Sequence, residues 1–353
     1  MSDPVCHPRQ PFGPLARSQI EMTVDSATGL SRKDDHLRIA AQPGVEHRGG
    51  TGLEAVRLRH RALPERNLPE VDLAVDLLGR RLQAPLLVSA MTGGTGEAAI
   101  INARLAGAAA ELGVAVVLGS ARALLEDPSL LSTYRLHPRP PLVLANLGGS
   151  QLTPERAIRA VDLLAADGLS VHLNPLQEAV QPEGQPWFAG VLAQIAATVE
   201  RLAPLPVVVK EVGFGLDPED VRLLREAGVA ALDVAGSGGT NWALIEGRRN
   251  PEGQALAEAF ADWGTPTGDS LRAARRVAPE VTLLASGGLR DGVDVAKCLA
   301  LGAQGCGLAR PFLLAAQADR VEDALRTVLE QLRIATWLTG AASVSALGPE
   351  HIQ

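Results

Sequence analysis

The stretch LSVHLNPLQEAVQ, residues 169–181, passes from a short strand pattern straight into a cluster of polar groups. Leu169, Val171 and Leu173 alternate with Ser170, His172 and Asn174, so His172 and Asn174 share one face of a strand. Gln177 and Glu178 follow at once. An apolar run with ligand-binding groups at its C-terminal end is a unit, and the unit repeats. Comparable runs are PLLVSA (85–90), VAVVLG (114–119), PLVLAN (141–146), PVVVKE (206–211), AALDVAG (230–236), VTLLASG (281–287) and GCGLA (305–309). Amphipathic or Ala-rich stretches separate them, such as EAAIINARLAGAAAELG (97–113) and VLAQIAATVERLA (191–203). Apolar runs alternating with helices imply a parallel sheet covered by helices. Eight units between residues 85 and 309 fit a (β/α)8 TIM barrel of the α/β class better than a doubly wound sheet. The eighth run is the least regular, because Gly305 and Gly307 interrupt it.

Nearly every run ends in polar or glycine-rich groups: Met91 and Thr92, Ser120 and Arg122, Asn146, His172 and Asn174, Lys210 and Glu211, then Gly236–Thr240. Ser286–Gly288 with Arg290, and Ala309 with Arg310, complete the set. A single such tip is ordinarily a turn or helix cap. A closed barrel gathers all eight onto one face, where such barrels keep their active sites. Residues 81–353 are therefore read as the barrel with a C-terminal helix, and residues 1–80 as an N-terminal extension. Its first 20 residues, rich in Pro and polar groups, are expected to be mobile.

Composition narrows the function. Hydrophobic residues make up 46% of the 353, ample for a buried core, while only 3% are aromatic, so Ala, Val and Leu do most of the packing. A net charge of -7 argues against a nucleic-acid partner, which calls for a basic surface. No apolar run reaches the about 18 residues of a membrane span, and no signal-peptide pattern opens the chain, so a cytoplasmic protein with no membrane partner is expected. Cys6, Cys298 and Cys306 lack metal-ligand spacing; the last two read as small packed hydrophobes.

Three features suggest anion chemistry. ASGGLRDG (285–292) brings Gly287 and Gly288 to a helix start, where backbone can approach a phosphate, with Arg290 able to add a charged fork. GSGGT after the sixth run offers a second glycine-rich edge with Thr240. In SRKDDHLRIA (31–40), Ser31 with Asp34 forms a capping-box pattern, placing Arg32, Lys33 and His36 in the first turns of a helix. That suits a diphosphate, although such a segment is more often a solvated basic face. Lysine usage is sparse: against 30 Arg there are only Lys33, Lys210 and Lys297. Lys210, at a strand end, could form a Schiff base, hold an electron-rich ring, or pair with Glu178 or Glu211.

RKDDH, SAMTGG, GSAR, ANLG, HLNPLQE, KEVGFG, AGSGGTNW, ASGGLR and GLARPF follow in order from Arg32 to beyond Arg310. In this the chain resembles the type 2 isopentenyl diphosphate isomerases, which depend on FMN. HLNPLQE and the RKxxH pattern are not general features of flavin barrels. One departure is Asp217, where the family usually has Ser; either can cap the next helix. The resemblance implies interconversion of isopentenyl and dimethylallyl diphosphate, with reduced FMN as the acid and base, no net redox change, and NAD(P)H as flavin reductant. It implies FMN contacts from Met91, Thr92, Ser120, Asn146, Lys210, Ser237, Thr240, Gly288, Arg290 and Ala309. Arg32, Lys33, His36, Arg122, His172, Asn174 and Gln177 would bind substrate, with Gln177, His172 and Lys210 closest to the chemistry and Glu178 holding Mg2+ on the diphosphate. It further implies a homo-oligomer, a tetramer or octamer. An FMN-dependent hydroxy-acid oxidase is the rival reading. It needs a His beside the glycine-rich turn after the sixth run, and no His occurs between His172 and His351. A nucleotide dehydrogenase of this barrel class would want a nucleophilic Cys in a mobile loop, and neither Cys298 nor Cys306 is so placed.

Overall fold

A computed structural model describes residues 26–353, with side chains from Arg32 onward. The tail expected to be mobile, residues 1–20, and Cys6 lie outside the described residues. A short antiparallel hairpin, β1 (Val75–Leu77) and β2 (Arg80–Leu82), precedes the barrel. The barrel strands are β3 (Leu86–Val88), β4 (Ala115–Val117), β5 (Val143–Gly148), β6 (Gly168–Leu173), β7 (Val207–Glu211), β8 (Ala231–Asp233), β9 (Thr282–Ala285) and β10 (Gly305–Leu308). Each falls on one of the eight runs read from sequence. All pairings are parallel, in sequence order, and β10 closes on β3 through the partners Cys306–Leu86 and Leu308–Val88. The glycine-interrupted eighth run is a strand because it is buried between two neighbours: a Cβ at Gly305 would meet Leu284, Leu77 and Leu87 side chains at 3.0–3.2 Å.

Two layers of core hold this arrangement. Between strands and helices, Val, Leu and Ala side chains form one continuous cluster. Inside the barrel, Leu87, Val117, Leu144 and Leu284 pack together, and Leu77 and Leu82 from the hairpin close the same cluster from one end. Each fully buried Leu contributes roughly 1.5–3 kcal/mol. Several helices are started by side chains: Thr95 accepts from the Ala98 N–H, Thr153 from Arg156, and Asp291 from Val293 and Asp294. Asp217 caps the helix Pro218–Glu226 by accepting from the Glu219 N–H at 2.8 Å, as its position suggested.

One local expectation is corrected. Among the described residues the first helix spans Ser26–Ala40, so Ser31 is inside it rather than at its cap, and Arg32, Lys33 and His36 lie in mid-helix. Those three therefore owe their positions to docking on the barrel, not to the positive end of a helix. The docking is well fastened. Arg310 donates to the carbonyls of Ala40 and Gln42 and pairs with Glu46 at 2.9 Å. Arg248 donates to Pro43 and Gly44, and His47 N–H donates to the Gly239 carbonyl at 2.8 Å. The extension thus lies over the strand ends that carry the polar groups.

Candidate active site

A cleft of about 1290 Å3 occupies the C-terminal mouth of the barrel. Every residue singled out from sequence for catalysis, substrate, cofactor or metal lines it, except Ser237. Ser237 is buried, its N–H donating to the Thr265 carbonyl and its own carbonyl accepting from Thr267, so its backbone braces the turn.

The glycine-rich tips form one surface. A Cβ on Gly239 would sit 2.4 Å from the Gly288 nitrogen, and one on Gly288 would meet Thr51 at 2.5 Å and the Gly238 backbone at 2.6 Å. Gly238, Gly287 and Gly288 have φ of 115°, 95° and 76°, a region costly for residues with a side chain. The turns after β8 and β9 therefore interlock with bare backbone toward the cleft. Arg290 is exposed beside them and only loosely paired with Glu54, at 3.5 Å.

At the floor, His172 and Lys210 are adjacent register partners on β6 and β7. The His172 Nδ1 lies 2.7 Å from Asn146 Oδ1, so with that amide orientation Nδ1 carries the proton. Burial, and then the Lys210 charge, push His172 down to about 3, so it is a neutral imidazole. Lys210 is not paired with Glu178 or Glu211: its ammonium donates to the Glu211 carbonyl, while the Glu211 carboxylate turns to the N–H groups of Val212, Gly213, Phe214 and Gly215. Thr92 Oγ1 and Asn174 Oδ1 are buried at the cleft without a protein partner. Groups of that kind suit a bound ligand.

The wall after β6 is a connected network. Asn174 Nδ2 donates to Gln177 Oε1 and Glu178 Oε1, each at 3.1 Å. Gln181 and the Gln185 N–H hold the other Glu178 oxygen at 2.8 and 2.7 Å. Gln177 Nε2 donates to Glu246 Oε1 at 2.9 Å, and His36 Nε2 meets the same oxygen at 2.8 Å while Arg249 takes Oε2. Burial alone would raise the Glu246 pKa, but hydrogen bonds from His36, Gln177 and Arg249 hold it at about 2. Glu246 was missed from sequence. Its signal is a carboxylate inside the apolar run WALIEG (242–247), on a helix that Asn241 caps through the Ala243 and Leu244 N–H groups.

The rim is cationic. Burial and the nearby Arg122 both lower the pKa of Arg32, and Arg122 is paired with Glu126 at 3.1 Å. Lys33 donates to the carbonyls of Gly93 and Ser120 and to the Tyr134 hydroxyl, the last at 2.7 Å; burial and Arg32 push it down to about 7. Gly93 is needed there, because its Cβ would stand 2.1 Å from the Tyr134 ring. Among the described residues no group of three or more His, Cys, Asp or Glu side chains could by itself hold a metal, and no helix is long and apolar enough to cross a membrane. A metal here would need oxygens from a ligand beside Glu178.

The closed eight-stranded barrel, with a glycine-rich edge and a lysine at its mouth, is one of the architectures of flavin enzymes, and residues 176–353 match the FMN-dependent dehydrogenase family, which makes the chain an FMN-dependent barrel protein by family. The isopentenyl-diphosphate delta-isomerase of Stutzerimonas stutzeri is 48% identical over 330 residues, 90% of this chain and 95% of that protein. The protein of the same name from Nostoc sp. is 44% identical over 92% of this chain and 96% of its own length. The chain belongs to the isopentenyl-diphosphate delta-isomerase family. Solved structures with the same fold include the flavin-binding domain of baker's yeast flavocytochrome b2, at a TM-score of 0.66 and 19% identity over 93% of this chain and 84% of that one. A mandelate oxidase with an FMN adduct matches at a TM-score of 0.57 and 22% identity, over 90% and 91% of the two chains. At such identities these share the fold alone.

Proposed function

We propose that the chain interconverts isopentenyl diphosphate and dimethylallyl diphosphate, with reduced FMN in the barrel mouth and Mg2+ on the diphosphate. The observation that carries this reading is the like-charged pair Arg32 and Arg122 beside Lys33, all three lining the rim of the cleft. A diphosphate would neutralise that rim, and charge-assisted hydrogen bonds to it are about twice as strong as neutral ones. When bound, reduced FMN supplies the proton donor and acceptor for moving a double bond, with no net change of redox state.

The chain's own residues bind and orient. The bare backbone at Gly288, with Arg290, Ala309 and Thr240 around it, would take the flavin phosphate. Met91, Thr92, Ser120, Asn146 and Lys210 would border its ring, and the unpartnered Thr92 hydroxyl fits that place. Asn174 and Glu246 hold the Gln177 amide from both ends, so it can direct a proton-carrying group. Neutral His172 orients without adding a charge that would draw water. Glu178, already fixed by three donors, would offer its carboxylate to Mg2+, a hard cation that keeps its remaining sites for water and phosphate oxygens. A cytoplasmic homo-oligomer, tetrameric or octameric, with flavin reduced by NAD(P)H, belongs to the same reading. Anaerobic incubation with isopentenyl diphosphate, FMN, Mg2+ and reductant tests it: dimethylallyl diphosphate should form only when the flavin is reduced. Equal turnover with oxidised flavin would refute it.

A further inference from the structure

Beneath the cleft, inside the barrel, a second small space of about 10 Å3 is bounded by Ser89, Ser170, Lys210 and Asp233 among apolar side chains. A space of that size holds a single water where two to four polar partners are within reach. The partners are there. Ser170 Oγ is buried with no protein hydrogen bond. The buried Asp233 carboxylate accepts from Ser286 Oγ at 2.8 and 3.0 Å and from the Ala235 N–H at 3.2 Å, which leaves lone pairs toward the chamber. Lys210 is its register partner on β7, yet the ammonium donates to the Glu211 carbonyl and makes no direct ion pair with Asp233.

Lys210 and Asp233, on neighbouring strands, thus both border this small space without a direct ion pair, and an unpartnered hydroxyl stands on its wall. Burial raises the Asp233 pKa in spite of the Lys210 charge and the bonds from Ser286 and Ala235, so a further donor would stabilise its carboxylate, and polar groups that do not meet directly are commonly bridged by water. We propose that the chamber is a one-water site joining Ser170, Asp233 and Lys210, and that Asp233 is a positioning residue which, through this water, sets the direction of the Lys210 ammonium. The water accepts from Lys210, donates to Asp233 and shares its remaining proton with Ser170. Lys210 lines both chamber and cleft, so a bond on the inner side constrains what it offers on the outer side. The consequence for flavin rests on the proposed function; the bridge itself does not.

The chain has only three lysines, so lysine labelled with 13C at Cε gives three side-chain signals, and Lys210→Arg identifies the one from Lys210. In the full FMN-loaded chain, Asp233→Asn should move the Lys210 signal and leave those of Lys33 and Lys297 in place. Ser170→Ala should move the same signal by less. A high-resolution crystal structure should show one water within hydrogen-bonding distance of all three groups. An unmoved Lys210 signal in both variants, or no water density between the groups, overturns the bridge. If Asp233→Asn does not fold, Ser170→Ala decides by the same signal. Asp233→Asn should also lower kcat about tenfold at unchanged FMN stoichiometry. Wild-type kcat would remove the positioning role, and the NMR result stands whether or not the isomerase reading does.

Discussion

Gln177 and Glu246 stand 69 positions apart in sequence, yet the Gln177 amide donates to the Glu246 carboxylate at 2.9 Å, on the same oxygen that His36 meets at 2.8 Å. Three segments, the extension, the short helix Pro175–Val180 after β6 and the helix after β8, therefore converge on one buried carboxylate. Gln177→Ala should cut kcat about 100-fold, the scale for losing one aimed donor in a dry site, with FMN binding little changed. Steady-state kinetics with flavin stoichiometry on the same samples checks this; parallel losses of flavin and activity would make Gln177 a folding residue.

Glu246 also sets an acid limit. Its folded pKa, about 2, lies below the ordinary 4.5, so its contribution to stability is fully present above pH 4.5 and is lost as pH falls toward 2. Glu246→Gln should be less stable than wild type at neutral pH, and the gap should narrow between pH 4.5 and 2. Urea midpoints across that range measure it. A gap independent of pH would mean that the carboxylate's charge does not matter.

Lys33 works at the opposite end. Its folded pKa of about 7 means that the ammonium loses its proton as pH rises through neutrality, although the unfolded chain keeps it to about 10.5. On the proposed function, kcat/KM for the diphosphate should fall above pH 7. Lys33→Arg should move that limb upward, because guanidinium stays charged. Lys33→Ala should raise KM about tenfold or more without freeing FMN. An identical pH profile in Lys33→Arg would assign Lys33 only to fastening the extension.

The barrel was legible because each strand is an apolar run ending in polar groups, and that alternation does not depend on remote contacts. The glycine turns after β8 and β9 could be read for the same local reason. What sequence could not give was the company each group keeps. The partners of Lys33 are two carbonyls and the Tyr134 hydroxyl, from tips 60, 87 and 101 positions away, and no local pattern encodes them. Ser31 misled because a capping-box pattern permits a helix start but does not dictate one, and here Ser31 lies within the helix Ser26–Ala40.

Arg290→Ala should weaken FMN binding about tenfold to 100-fold if the guanidinium meets the flavin phosphate, since its present partner Glu54 is exposed and at 3.5 Å holds it weakly. Flavin titration by fluorescence quenching provides the number. Unchanged affinity would move the phosphate away from the turn after β9.

The central claim is that this barrel moves a proton and not a hydride, and counting reductant against product tests it most directly. After a single anaerobic reduction in heavy water, with Mg2+ and isopentenyl diphosphate present, many turnovers should follow while the flavin spectrum stays reduced, and deuterium should enter the product. Reductant consumed one-for-one with product, with the flavin reoxidised at each turnover, would contradict it.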